Sequence, residues 1–278
     1  MRELSGRGFY SVDISKWPST EANEAPLKVS CLTRAESEDD QTALQKMVAR
    51  TNERLSLGDD LVVWSESAVD ESVDPLMFTW NPDNPWAVVA PTFYESTQNK
   101  DGKVYNRVQM MQGGSVIASY DKNRPVPIIE SGVAAGSQAT DPIDVTFTPQ
   151  HLITALAICF DLDFPYLLKR AHNADLVVGP SWYWASLGYN LWEHNTFRAI
   201  ENGFTLIKCS ENGITGSVDP FGRTIAALPT LNDDVRTFEV PVQKGVSTVF
   251  GCGGWLFGWV CVGLSLLVLI SVLSSWIC

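Results

Sequence analysis

The chain has 278 residues, 45% of them hydrophobic and 10% aromatic, and its 20 basic and 32 acidic side chains give a formal charge of −12. So acidic a polypeptide lacks a general electrostatic grip on nucleic acid or an anionic membrane surface, and its aromatic content excludes disorder as the general state. Six cysteines are too few for a disulfide framework. Three histidines (His151, His172 and His194), with no CxxC or HExxH spacing, argue against a metal site, and no cofactor is expected.

The first 26 residues, MRELSGRGFYSVDISKWPSTEANEAP, form a polar segment without the apolar stretch of a signal peptide or membrane span. Leu27–Leu32 (LKVSCL) predicts a strand, and Glu36–Leu57 a helix with a polar face. Asp60–Ser67 (DLVVWSES) is continuously apolar up to its end and reads as a buried strand. WAVVAPTFYES, VYNRVQMMQ and SVIASYDK follow as β-rich segments separated by Gly and Asn-Lys-Asp turns. His151–Asp161 (HLITALAICFD) predicts another buried strand, followed by a short helix and the strand Ala174–Trp182 (ADLVVGPSW). Trp192–Asn202 reads as helix, FTLIKCS as strand and GITGSVDPFGR as a hairpin, giving one α/β domain over residues 27–244.

The remainder, 245–278, has no charged side chain, and Trp255–Leu273 is unbroken apolar or small. A helix that spans a bilayer needs about 20 such residues, whereas a buried core helix is normally shorter and flanked by charges. One C-terminal transmembrane helix is therefore expected at about 255–275, with Trp255, Trp259 and Trp276 as interfacial anchors. This makes the chain a single-pass membrane protein. Arg236 and Lys244, on the domain side, favour a cytoplasmic domain weakly.

Three apolar segments end in different polar groups: Glu66 after DLVVWS, Lys122 in SVIASYDK and Cys159 in ITALAIC. Strand ends in α/β domains face the crevice where ligands bind. A thiol with an ordinary pKa of about 8.5 needs a base or a nearby cation to become a nucleophile. Glu66 is suited to take its proton, and Lys122 to favour thiolate and a developing oxyanion, with the Phe160 N–H as a second oxyanion donor. Taken singly, each has a bland reading: Cys159 an inert core thiol, Glu66 and Lys122 surface charges. Cys209, closing FTLIKC, shows the same burial pattern as Cys159.

In context, DLVVWSESAV, YDKNRPVPIIES and ICFDLDFP, in that order, resemble the three signatures of the nitrilase or carbon–nitrogen hydrolase superfamily. ADLVVGPSWYW and EHNTFRAIENGFTLIKCSENGITGSVDPFGR are similar to its later segments, so the resemblance runs from about Leu27 to Val242. It implies an α/β four-layer αββα sandwich and a Glu–Lys–Cys triad at Glu66, Lys122 and Cys159. It also implies covalent catalysis on an amide, nitrile or acyl ester through a thioester.

Within the superfamily the chain looks most like the apolipoprotein N-acyltransferase branch, whose cysteine takes an acyl group from a phospholipid and passes it to a lipoprotein's N-terminal amine. Glu130 stands where that branch has a Glu eight residues beyond its lysine, Trp192 and His194 match its Trp-x-His, and a membrane helix follows the domain. The resemblance gives Glu130 the role of orienting Lys122 or acting in the second step. Trp182, Tyr183 and Trp184 are expected to line an apolar acyl pocket, with His194 at the pocket as a hydrogen-bonding group. Asp161 replaces the branch's Glu, as in ordinary amidases of the superfamily, and Phe160 replaces its Tyr. The branch's preceding membrane helices are absent, so the chain reads as a shortened relative or one whose helices lie upstream of Met1. The expectation is a membrane-anchored thiol enzyme performing amide hydrolysis or N-acyl transfer. A catalytically silent binding or scaffold protein with the same fold is the alternative; the filling of all three triad positions weighs against it.

Overall fold

Runs of Val, Leu and Ile, apolar on both faces, demand strands covered from both sides, and they organise the centre of the molecule. The computed structural model describes residues 25–277 apart from 38, 71, 97–102, 138–140, 148 and 185–186, so most of the polar segment 1–26 lies outside the described residues. The first half comprises β1 (Leu27–Leu32), α1 (Asp40–Ser56), β2 (Leu61–Trp64), β3 (Val88–Ala90), β4 (Thr92–Ser96), β5 (Val104–Gln112) and β6 (Ser115–Asp121). There follow β7 (Ile143–Phe147), β8 (Gln150–Leu156), β9 (Leu176–Trp182), α2 (Leu187–Asn202), β10 (Thr205–Glu211), β11 (Gly213–Val218), β12 (Thr224–Thr230), β13 (Val235–Val240) and α3 (Trp255–Ile277).

Two sheets result. One runs β13-β1-β2-β3-β5-β4, with β6 also paired to β5; the other runs β12-β11-β10-β9-β8-β7. β1, β2 and β3 are mutually parallel, as are β8, β9 and β10, and antiparallel strands flank them. Parallel neighbours require crossovers: α1 joins β1 to β2, α2 joins β9 to β10, and 3₁₀ turns at Cys159–Asp163 and Leu168–Asn173 join β8 to β9.

Between the sheets pack Val29, Leu61 and Val63 from one side and Val178, Ile207 and Cys209 from the other. Outside the first sheet, α1 lays Leu44, Met47 and Leu55 against Val62 and Trp64, and the Trp64 indole donates to Thr51 Oγ1 at 2.9 Å. Outside the second, Trp192 and Ala199 of α2 meet Val177 and Leu206. The arrangement is the expected αββα sandwich.

Several boundaries differ from the sequence expectations. α1 starts at Asp40 because the Asp39 carboxylate caps it, accepting from Thr42 N at 2.7 Å. β2 ends at Trp64, where the chain turns through Ser67 at φ 54°. β8 ends at Leu156 instead of running through Cys159 to Asp161, and α2 begins at Leu187, before Trp192.

α3 is apolar all round. Its stretch Leu256–Ser274 is long and apolar enough to cross a membrane, and none of it is buried in the protein. Trp259 is exposed; the side chains of Trp255 and Trp276 lie outside the described residues.

Candidate active site

Lys122, just beyond β6, is 1% exposed. Its Nζ donates to Glu66 Oε1 and to Glu130 Oε2, each at 2.6 Å. Burial alone would depress the ammonium, but Glu66, Cys159 and Glu130 outweigh it and raise its pKa, keeping the group charged. The Gly136 amide donates to Lys122 O at 2.8 Å. A Cβ at Gly136 would fall 2.4 Å from Asp121 O, so only glycine allows this close backing of the lysine strand.

Glu66 follows β2 and is buried. Besides Lys122, its Oε1 accepts from Asn106 Nδ2 at 2.9 Å, and its Oε2 accepts from the Trp182 amide at 2.9 Å. Asn106 Nδ2 also reaches Glu130 Oε1 at 3.4 Å, and the Val126 amide donates to Glu130 Oε2 at 2.6 Å. Glu66 is thus fixed from strands of both sheets, and Glu130 from β5, Lys122 and its own turn.

Cys159 occupies the first residue of a 3₁₀ turn at φ 46°. A non-glycine residue in this left-handed region costs about 1–2 kcal/mol, and such strain persists only where the surroundings over-determine it. Here Asp161 does so. Its Oδ2 accepts from Ile158 N at 3.3 Å, Asn123 N at 3.3 Å and the Tyr120 hydroxyl at 2.9 Å, and its Oδ1 accepts from Arg124 N at 2.7 Å. One carboxylate therefore ties the cysteine turn to the backbone immediately after Lys122. Burial pushes the Asp161 carboxyl up to about 6 against these hydrogen bonds.

The Cys159 thiol contacts Trp182 O at 3.5 Å. Burial, and next the negative charge of Glu66, push its pKa well up, while Lys122 pulls it down. Burial thus favours the neutral thiol, which shares its cavity with the Glu66 carboxylate. Glu66, Lys122, Glu130, Cys159 and Phe160 share a cavity of about 450 Å³ with Trp182, Tyr183 and Trp184, its remaining walls including Val126, Ile129, Leu187 and Leu191.

Asp161 stands behind the cysteine turn instead of in the cavity. His194 is not part of the cavity lining either: α2 turns it outward, and its Nδ1 lies 3.0 Å from Oδ1 of Asp163, the residue that does line it. Cys209 is in the inter-sheet core, its Sγ 3.3 Å from Val63 O. Asn106 is not among the expected site residues, although the strand carries a signal. With Val108 and Met110 it forms the buried face of β5, where alternation calls for an apolar side chain. Among the described residues, no group of three or more His, Cys, Asp or Glu side chains is arranged to hold a metal ion.

The sandwich, with this cluster at its strand ends, defines a class. The chain matches the carbon-nitrogen hydrolase family over residues 37–248 and belongs to it. It is 24% identical over 262 residues to the apolipoprotein N-acyltransferase of Chlorobaculum tepidum, covering 74% of this chain and 48% of that protein. It is 32% identical over 124 residues to that of Haemophilus ducreyi, covering 40% of this chain and 24% of that one. The chain thus spans about half the length, or less, of these relatives. Among solved structures, a nitrilase-superfamily amidase from Nesterenkonia AN1 superposes with a TM-score of 0.61 at 17% identity, covering 78% of this chain and 91% of that one.

Two substitutions test the geometry. Asn106→Leu removes the donor shared by Glu66 and Glu130 and should slow alkylation of Cys159 by iodoacetamide about 100-fold, the scale of a misplaced catalytic group; an unchanged rate would show that Asn106 does not orient Glu66. Asp161→Ala orphans four donors and should cost about 3 kcal/mol in unfolding free energy, with Cys159 alkylation falling in parallel as the turn relaxes. Wild-type stability in thermal unfolding contradicts the tie described for Asp161.

Proposed function

We propose that this chain is a membrane-anchored thiol acyl-transfer enzyme using Glu66, Lys122 and Cys159. The observation that carries the reading is the convergence of a buried thiol, a base and a charged lysine on one largely apolar cavity. The strained backbone at Cys159 supports it.

In the first step Cys159 Sγ attacks an acyl carbon and its proton passes to Glu66. The carbonyl π electrons move onto oxygen, and Lys122 Nζ with the Phe160 N–H stabilises the resulting oxyanion. Collapse expels the alcohol or amine, which takes the proton from Glu66, and a thioester remains on Cys159. An amine or water then attacks that thioester, losing a proton to Glu66, and the thiol is regenerated. Glu130 holds Lys122 in place throughout.

The apolar cavity walls, the exposed apolar α3 and the similarity to acyltransferases favour a lipid acyl donor and an amine acceptor. Amide hydrolysis is the second reading, favoured by the amidase-like fold. In the E41Q mutant of that amidase, the acetamide moiety of fluoroacetamide adds covalently to the active-site cysteine.

Intact-mass analysis after incubation with a phospholipid, or separately with a small amide, should reveal an acyl adduct on Cys159. The adduct should be absent from Cys159→Ala, and a peptide bearing a free N-terminal amine should receive the acyl group. An adduct on Cys209, or none with either donor, defeats the reading; acyl release only to water selects hydrolysis. Separately, the full chain should partition with detergent in a phase-separation assay, whereas a chain ending before Val249 should remain in the aqueous phase. Aqueous partitioning of the full chain would refute anchoring by α3.

A further inference from the structure

Glu211, the last residue of β10, is a buried carboxylate that the reaction above does not use. It lines the cavity together with Glu66, Lys122 and Cys159. Its Oε2 accepts from the Arg34 amide at 3.2 Å and from Ser65 Oγ at 3.3 Å. A neutral glutamine would satisfy both donors, so they do not account for the charge. Among the described residues no cationic side chain forms an ion pair with it; the Arg34 guanidinium is taken by Asp40 at 3.1 Å and Asp70 at 3.5 Å. A buried carboxylate without a counter-ion is costly, and burial raises the Glu211 pKa against the pull of the Arg34 amide.

Its position puts it beside the reacting atoms. In the parallel ladder of β9 and β10, Glu211 pairs with Trp182, and such partners lie about 5 Å apart with their side chains on one face. The Trp182 backbone touches both halves of the chemistry: its amide donates to Glu66 Oε2 at 2.9 Å, and its carbonyl lies 3.5 Å from Cys159 Sγ. The cavity wall carries four carboxylates (Glu66, Glu130, Asp163 and Glu211) against two cations (Arg34 and Lys122), an acidic surplus that suits a basic guest. Glu66 and Glu130 share the Lys122 ammonium, and Asp163 is held by His194 and Asn195 from α2. Glu211 is hydrogen-bonded by neutral donors alone, both on Oε2.

We propose that Glu211 receives the amino group of the acyl acceptor, so that the thioester on Cys159 is passed to an amine in preference to water. The proposal rests on the acyl-transfer reading of Cys159 and names the residue that selects its acceptor. An ammonium is drawn to the carboxylate and gives one proton to water, a modest cost for an N-terminal amine, whose pKa is about 8. The neutral amine, hydrogen-bonded to Glu211, attacks the thioester carbon. As the C–N bond forms, nitrogen gains positive charge, which the fixed carboxylate stabilises. The C–S bond breaks, and one proton passes from nitrogen through Glu66 to the departing sulfur. Water, which has no cationic form at neutral pH, is not gathered in this way.

In the test, the full chain in detergent is given p-nitrophenyl butyrate as acyl donor and a short peptide amide with a free N-terminal amine as acceptor, with Cys159→Ala as background. The readout is the ratio of N-butyryl peptide to butyrate, because general damage to the site slows both products alike. In Glu211→Gln the ratio should fall about tenfold, the scale of one charge-assisted hydrogen bond, and the peptide concentration for half-maximal transfer should rise. An unchanged ratio overturns the proposal and leaves Glu211 as a tie between β10, Ser65 and the Arg34 backbone. A wild type that releases butyrate alone overturns it too. If Glu211→Gln does not fold, the wild type supplies the second measurement. There n-butylammonium should protect Cys159 from iodoacetamide at roughly tenfold lower concentration than n-butanol, read by peptide mass spectrometry because Cys252 and Cys261 are also exposed. Equal protection overturns the proposal. Absence of any acyl adduct on Cys159 is a distinct result, which fails the reading of this thiol as nucleophile and the proposal with it.

Discussion

An ammonium ion removed from water needs negative charge and hydrogen-bond acceptors held in place, or it will not stay charged. Lys122 meets that condition between Glu66 and Glu130, and much of the surrounding architecture follows from it. Two carboxylates around one ammonium leave a surplus negative charge, which has to be spread over donors. Asn106 Nδ2 and the amides of Trp182 and Val126 provide them, drawn from β5, the end of β9 and the turn that carries Glu130. Satisfying one buried charge thus stitches together strands of both sheets at the ends where a ligand crevice opens.

The second requirement is to hold a thiol beside this cluster in a conformation that its own backbone disfavours. Asp161 does that from behind, gathering donors from the cysteine turn, from Tyr120 and from the two amides after Lys122. Glu66 and Asp161 are both buried carboxylates, yet their surroundings give them different work. Glu66 opens onto the cavity that it shares with the thiol, whereas Asp161 spends its lone pairs on backbone and a phenol. The division follows from hydrogen-bond accounting: a carboxylate whose acceptor sites are filled by fixed donors is poorly placed to carry protons.

The net negative charge belongs wholly to the part of the chain before Gly245, and the uncharged remainder forms the apolar helix α3. An acidic domain has little general attraction for anionic headgroups. In the proposed function, attachment to a bilayer would therefore rest on apolar burial of α3, at about 25 cal/mol per Å² of surface removed from water. Between domain and helix, Pro165 and Tyr166 meet Phe250 and Phe257 around a further cavity. Tyr166 continues through edge-to-face contacts with Phe164 to Phe160, which borders the site.

The amino-acid sequence by itself determined the apolar runs that become β1, β2, β9 and β10, the charge-free tail, and the chemical identity of Glu66, Lys122 and Cys159 at the ends of strand-like segments. These are properties of local composition and period, and they survive without knowledge of the fold. Only the tertiary structure decided where β8 stops, because the turn at Cys159 is held by Asp161, whose partner Arg124 is 37 residues away in the chain. It also decided that His194 faces outward while Asp163 enters the cavity, and that Asn106 joins the site. A polar residue on a buried strand face, such as Asn106, is visible in sequence as an exception to the pattern. The group it answers to lies on another strand or helix, and long-range packing alone brings the two within hydrogen-bonding reach.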